Sequence, residues 1–250
     1  MRVQIIAEIG INHGGDMDMA RWLIKQAKDA GADVAKFQFY DPEKTLNKKD
    51  FFKDDWFEIK GAELSFEEVA MLKGYCDGLN IEFMASAFDP IRLKWLEELN
   101  VDRHKIASRM IFDKEYVKLV RATGKPYLVS MGWMTLEKCN EYGESILSMR
   151  NKFIKTSLSF FLYCISKYPT SLEEVNITKD IFDSYNFDGF SDHTVGITAA
   201  ITAIVMGAKI IEKHFTYDRK APGPDHVCSI EQDELLALCE FRDEFEILSK

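Results

Sequence analysis

What the chain lacks narrows it quickly. Its five cysteines, Cys76, Cys139, Cys164, Cys228 and Cys239, show no paired metal-binding spacing. An odd, scattered set argues against a disulfide scaffold and fits reduced cytoplasm. No apolar run is long and uninterrupted enough to span a bilayer, and Met1 leads directly into the strand-like stretch 3–7, leaving no room for a signal peptide. The expected protein is soluble and cytoplasmic, with no membrane partner. Long basic runs are missing too. The 32 basic residues stand against 41 acidic ones, a formal net charge of -9, which argues against nucleic acid. The glycines form neither Gly-x-Gly-x-x-Gly nor a segment ending in Lys-Ser or Lys-Thr, so a nicotinamide cofactor and an ATP-binding loop are unsupported. What remains is 46% hydrophobic residues in 250, enough for a sizeable core.

Apolar patterning divides the chain into eight strand–helix repeats. Strands are predicted at 3–9, 33–39, 81–85, 104–107, 127–130, 157–164, 187–192 and 209–214. The first helix is capped by Asp16 or Asp18, the next opens on a Ser65-x-x-Glu68 capping box, and a third starts at Pro90. Further helices are expected around 116–122, 136–149, 172–184, 197–206 and 230–248. The stretch 42–61, mixed and rich in lysine, aspartate and aromatics, is expected to be an elaborated loop with a short helix, placed to act as a lid. Eight repeats without a linker predict a single-domain α/β fold over 1–250, a TIM (β/α)8 barrel rather than a doubly wound sheet. Phe37, Phe39 and Phe83 alternate on strands and are expected to pack in the core.

In such barrels the loops after the strands form the active face. Those positions collect Glu8 with Asn12 and His13, Lys36 with Gln38, Ser86 with Asp89, Lys105 with Ser108, and Ser130. Tyr163 with Ser166 and Tyr168, Asp192 with His193, and Glu212 with His214 complete a polar ring. Stability alone would place apolar residues at most of these sites. His193 and His214, at adjacent strand ends, suit a divalent metal, a pair of hydrogen-bonded structural histidines, or an acid or base. Lys36 and Lys105 suit a phosphate or carboxylate, a Schiff base, or structural pairing with Glu8 or Glu212. His13 serves either substrate or its own turn, and His104 falls on the side of the barrel usually given to stability.

Taken together, several motifs resemble the sialic acid synthase family of phosphoenolpyruvate-dependent nonulosonate synthases. They are Glu8-Ile9-Gly10-Ile11-Asn12-His13-Gly14, Lys36-Phe37-Gln38, Lys105-Ile106-Ala107-Ser108 and Tyr168-Pro169-Thr170. Ser191-Asp192-His193-Thr194, Glu212-Lys213-His214-Phe215-Thr216 and Pro222-Gly223-Pro224-Asp225 complete the set, in family order over nearly the whole chain. The resemblance implies condensation of phosphoenolpyruvate with an open-chain amino sugar or related aldose, giving a 2-keto-3-deoxy acid and phosphate. It implies His193 and His214 as ligands of a divalent ion, manganese first and magnesium or cobalt as alternatives. Lys36, Lys105, Ser108, Ser130 and Ser191 are implied to clasp phosphate and carboxylate, with Ser86 at a matching hydroxyl position. Glu8, Gln38, Tyr168, Glu212 and Asp225 are implied to organise the metal water, the intermediate and the sugar, with Glu8 and Glu212 handling protons.

The chain also departs from that pattern. Arg109 and Met110 stand where the family usually has glycine and an acidic residue, so a carboxylate is lost and a cation that can recruit an anionic substrate is gained. Tyr163 replaces a common histidine, Ser166 a common asparagine at a substrate-binding position, and Met131 a threonine. The C-terminal antifreeze-like domain of the family is expected to be absent, which suggests a separate capping protein, a changed acceptor or reduced catalysis. A homodimer is the family's usual assembly. The alternatives to a synthase are a catalytically reduced barrel that binds a partner synthase or small acid, and a different metal-assisted lyase or isomerase.

Overall fold

Eight parallel strands close on themselves in sequence order: β1 (Gln4–Gly10), β2 (Val34–Phe39), β3 (Glu82–Ala87), β4 (His104–Ile106), β5 (Tyr127–Ser130), β6 (Ser159–Cys164), β7 (Gly189–Asp192) and β8 (Ile210–His214). This is the expected TIM barrel, seen in a computed structural model that describes residues 2–45, 53–132 and 156–249. The helices named here are α1 (Met17–Asp29), α2 (Pro42–Thr45), α3 (Lys53–Gly61), α4 (Phe66–Leu79), α5 (Pro90–Glu98), α6 (Lys114–Ala122), α7 (Lys179–Asp183), α8 (Thr198–Met206) and α9 (Gln232–Leu248). The helix expected at 136–149 lies outside the described residues. Among those residues, no helix is long and apolar enough to cross a membrane.

Side-chain alternation on the strands sorts the barrel into layers. Ile6, Val34, Met84, Leu128, Leu162 and Ile210 pack together as an apolar plug inside the barrel. Two residues further along the same strands stand Glu8, Lys36, Ser86, Ser130, Cys164 and Glu212, so the polar layer lies directly above the plug. Parallel register sets Glu8 beside Lys36 on one side and His214 on the other, and Ser191 beside Glu212. The intervening residues point outward into the helix layer. There Phe37, Phe39 and Phe83 stack at centroid separations of 5.8 to 6.4 Å. At the opposite end of the barrel, Arg103 donates to Glu82 and Gln4 at 2.6 Å each, a polar closure far from the strand exits.

Local signals hold where they are strong. Asp16 caps α1, accepting from the amides of Asp18 and Met19, while Asp18 sits in the first turn; Ser65 and Glu68 form the capping box of α4. The predicted helix at 172–184 is corrected to a 3-10 turn over Leu172–Glu174 followed by the short α7. Its failure has a local cause: Val175, Ile177 and Thr178 are β-branched, and Val175 leaves the turn in extended backbone. The stretch 42–61, expected to be a loop with a short helix, contains two helices among its described residues, α2 and the whole of α3. It is tied to the barrel by Tyr40, whose hydroxyl donates to the Ile59 carbonyl at 2.7 Å.

Candidate active site

A cavity of about 320 Å³ opens at the strand exits above the plug. Its floor is an alternating charge cluster. The Lys36 ammonium lies 2.6 Å from Glu8 Oε2 and 3.4 Å from Glu212 Oε2. Lys105 donates to Ser130 Oγ at 2.8 Å and to Glu212 Oε1 at 3.2 Å, and the Ser191 hydroxyl donates to the same Glu212 oxygen at 2.8 Å. All four charged groups are buried, and for Lys36, Lys105 and Glu212 burial competes with the charges of the partners. For Lys36, burial pulls downward, but Glu212 and Glu8 outweigh it and raise the ammonium above its ordinary value. For Lys105 burial prevails and the value falls. Burial would lift Glu212, but Lys105 and Lys36 hold its carboxyl well below the usual range.

One wall belongs to β1, β2 and the loop after β8. Gln38 Nε2 donates to Glu8 Oε1 and to Asp225 Oδ2, both at 3.1 Å. Gly10 makes this meeting possible. It adopts φ +57°, and a Cβ there would stand 3.0 Å from the Gln38 amide and 3.2 Å from the Asp225 carboxylate. Burial first, then the Glu8 charge, pushes the Asp225 carboxyl up to about 6. Its folded value therefore lies above the ordinary 3.8, and the stability associated with the protonated form is lost as pH rises through about 6. Asp225→Asn is expected to stabilise the fold at pH 8 by roughly 2–3 kcal/mol and to give no gain below about pH 4. Urea unfolding at pH 4 and pH 8 checks this; an equal effect at both would reject the assignment.

The facing aromatic cluster comes from β6, β7 and β8. Tyr168 stacks on His193 with centroids 4.1 Å apart and meets His214 edge-on at 5.6 Å, while the two imidazoles lie 5.4 Å apart. His193 Nδ1 faces the Ile165 carbonyl at 2.7 Å. Donation along that bond places the proton on Nδ1 and leaves the Nε2 lone pair available. His214 Nδ1 is buried without a hydrogen-bond partner among the described residues and lies 3.6 Å from Asp225 Oδ2. Burial, then the neighbouring His193, holds His214 well below its ordinary value, so this imidazole is neutral. Behind the pair, fully buried Asp192 and Lys213 meet at 3.1 Å, and both also bond the Thr194 backbone, which ties the exits of β7 and β8 together.

Among the described residues, no group of three or more His, Cys, Asp or Glu is arranged to enclose a metal ion. The donor chemistry nevertheless fits an ion held by two imidazoles. Each ring has a carbonyl or carboxylate beside Nδ1, the outer arrangement expected of metal-binding histidines, and solvent or substrate oxygens would complete such a shell.

The third side gathers Ser108, Arg109, Ser130, Cys164 and Ser166. Ser108 and Arg109 lie on a 3-10 turn after β4, and the Gly132 amide donates to Ser108 Oγ at 3.1 Å. A Cβ at Gly132 would collide with Ser166 Oγ and press on Ser108 Oγ and Cys164 Sγ, so glycine lets these polar tips converge. Ser166 Oγ is buried without a hydrogen-bond partner among the described residues.

The structure thus brings Glu8, Lys36, Gln38, Ser86, Lys105, Ser108, Arg109, Ser130, Ser166, Tyr168, Ser191, His193, Glu212, His214 and Asp225 to one cavity. Five other members of the predicted ring do not line it. Asp89 caps α5; Asp192 pairs with Lys213; Tyr163 points into the helix layer against Phe187 and Phe190. Asn12 bonds the Phe215 carbonyl and Ser229, and His13 accepts the Gly15 amide at 3.0 Å, which is the turn role. His104 contacts Glu97 at 2.8 Å, away from the cavity. Sequence reasoning missed Cys164, Tyr40, Ile59 and Phe88 in the lining. Cys164 was findable, because it follows Phe160 and Leu162 at the inward spacing; the other three have no local signal.

Comparison with known proteins adds an independent observation. The family model described as "NeuB family" matches residues 23–248. The N,N'-diacetyllegionaminic acid synthase of Legionella pneumophila is 35% identical over 248 residues, 92% of this chain and 68% of that protein. The human N-acetylneuraminate-9-phosphate synthase is 32% identical over 249 residues, covering 94% of this chain and 67% of that one. The crystal structure of the N-acetylneuraminic acid (sialic acid) synthetase of Leptospira borgpetersenii serovar Hardjo-bovis, in complex with citrate, superposes with a TM-score of 0.85 at 32% identity. That match covers 100% of this chain and 86% of the other.

Proposed function

The chain belongs to the NeuB family, and on that premise we propose that it condenses phosphoenolpyruvate with the open-chain aldehyde of an amino sugar or related aldose, giving a 2-keto-3-deoxy nonulosonic acid and phosphate. The observation that carries this reading is the division of one cavity: paired lysines and serine hydroxyls on the floor face an imidazole and carboxylate wall. The floor suits a small phosphorylated acid, and the wall suits an aldehyde whose oxygen gains charge during addition.

In the proposed reaction the methylene carbon of phosphoenolpyruvate bonds to the aldehyde carbon, and the aldehyde oxygen takes up a proton. Water adds at C2 and loses its proton, and the C–O bond to phosphate breaks as the ketone forms. No lysine imine is needed. Lys36 and Lys105 are engaged with Glu8 and Glu212, which suits them to hold charge. Glu8 and Glu212 sit within reach of both floor and wall and are assigned the proton transfers, with Tyr168 and Asp225 positioning the acceptor. His193 and His214 would hold a divalent ion, manganese with magnesium or cobalt as alternatives. When bound, that ion supplies Lewis-acid polarisation of the aldehyde oxygen.

The test is phosphate release from phosphoenolpyruvate with manganese across N-acetylated hexosamines and simpler aldoses. Aldose-dependent release is expected and would identify the acceptor. Folded, metal-loaded protein that releases no phosphate with any acceptor would reject the synthase reading of this chain acting alone.

A further inference from the structure

Tyr40, Ile59 and Phe88, which line the cavity without any local sequence signal, form with Ile11 an apolar side to it, and all four are buried. The Tyr40 ring meets Phe88 edge-on at 6.2 Å, and its hydroxyl donates to the Ile59 carbonyl at 2.7 Å. The Phe88 amide in turn donates to the Phe39 carbonyl at 2.9 Å. Arg109 borders this side from the turn after β4, 5.8 Å from the centre of the Phe88 ring. A highly charged phosphorylated acid gains little from apolar surface, so these residues suit the uncharged part of the acceptor.

One side chain that does not line the cavity joins the segments carrying Tyr40, Ile59 and Phe88. Arg92, in the first turn of α5, is buried, and its guanidinium lies 4.9 Å from the centre of the Trp95 ring. Its Nη2 donates to Glu63 Oε1 at 3.0 Å, while Nη1 stands 3.3 Å from Asp89 Oδ2 and 3.7 Å from Asp41 Oδ2. Each acid belongs to a segment that supplies the apolar side. Asp41 follows Tyr40, Asp89 follows Phe88, and Glu63 stands two residues beyond α3, the helix that carries Ile59. A rigid guanidinium reaches carboxylates in several directions at once, which a lysine ammonium does not reproduce. The contacts of Lys44 with Asp41 and of Lys60 with Glu43 involve exposed lysines and contribute little to holding these segments. We infer that Arg92 is a positioning residue for the acceptor. It clamps the start of α2, the end of α3 and the exit of β3 to one another, and so fixes the apolar surface against which the acceptor lies.

This inference rests on the reading of an aldose as acceptor, and a measurement made without substrate separates the two. Hydrogen exchange is followed by peptide in wild type, Arg92→Met, Arg92→Lys and Glu63→Gln, beside KM values for phosphoenolpyruvate and N-acetylmannosamine. In Arg92→Met the amides of 55–62 are expected to exchange about tenfold faster while those of α9 are unchanged. The N-acetylmannosamine KM should rise about tenfold, with the phosphoenolpyruvate KM held within about twofold. Arg92→Lys should recover part of the loss, because it keeps the charge without the fork. Glu63→Gln should show part of the same effect and add little to Arg92→Met, since both remove one contact. Faster exchange with an unchanged acceptor KM overturns the inference, and so does an equal rise in both KM values, which would mean general damage. Unchanged exchange overturns the clamp itself. Wild type that releases no phosphate with any aldose rejects the synthase reading, and the assignment to the acceptor falls with it. Thermal melts show whether folding contributes, and Glu63→Gln with Arg92→Lys gives the reading if Arg92→Met unfolds.

Discussion

Replacing Lys36 with methionine is expected to destabilise the protein by roughly 3–5 kcal/mol at pH 7, because it removes one partner of a buried charge cluster and leaves the other behind. Glu8 loses its 2.6 Å contact, and Glu212 loses one of the two ammonium groups that hold it ionised. The pH dependence gives the claim a distinctive signature. Glu212 has a folded value depressed below its unfolded one, so its stabilisation is present above the ordinary carboxylate range and disappears as pH falls through the folded value. Weakening that depression costs most at neutral pH and progressively less once the unfolded carboxyl also binds a proton. The gap between wild type and Lys36→Met should therefore narrow between pH 7 and pH 4 in urea unfolding. A gap that stays constant would mean that the loss comes from packing of the lysine stem. Phosphoenolpyruvate binding should also be lost, since the same ammonium is one of the two lysine cations on the floor beside two carboxylates.

His214→Ala is expected to lower aldose-dependent phosphate release by about 10³-fold while leaving the barrel folded, on the basis that removing one of two imidazoles forfeits most of the electrostatic help to the aldehyde oxygen. The strand that carries it is held by pairing with β1 and β7 and by the Asp192–Lys213 bond beside it. The measurement is the release rate with and without added manganese, beside equilibrium metal binding. Loss of metal binding together with rate supports the two-imidazole site. Full metal affinity with full activity in the variant would remove His214 from the site and leave it a structural histidine stacked near Tyr168.

Particular residues show how far the chain can be read alone. The pattern Ile210-Ile211-Glu212-Lys213-His214 specifies which side chains share a face, since inward and outward positions alternate in any strand. The same alternation applies to Ile6 and Glu8, Val34 and Lys36, and Leu128 and Ser130. The apolar plug and the polar layer above it were therefore written in the spacing. Capping was legible at Ser65 and Asp16 because those bonds close within four residues. Asp89 and Tyr163 belong to the ring by sequence position alone, because proximity to a strand end does not reveal direction. One caps α5, and the other faces outward.

The sequence by itself determined the number of strands, the layer order within the barrel and the polar residues that stand at the strand exits, because all three follow from local periodicity. Only the tertiary structure decided which charges neutralise one another, since the Lys36–Glu8, Lys105–Glu212 and Gln38–Asp225 contacts join residues 28, 107 and 187 positions apart. It also decided that Gly10 and Gly132 are places where side chains from other strands need room. The physical reason is the closure of the barrel. Eight strand exits meet around one space only when the last strand pairs with the first, and the energy of a buried charge depends on what then stands across that space.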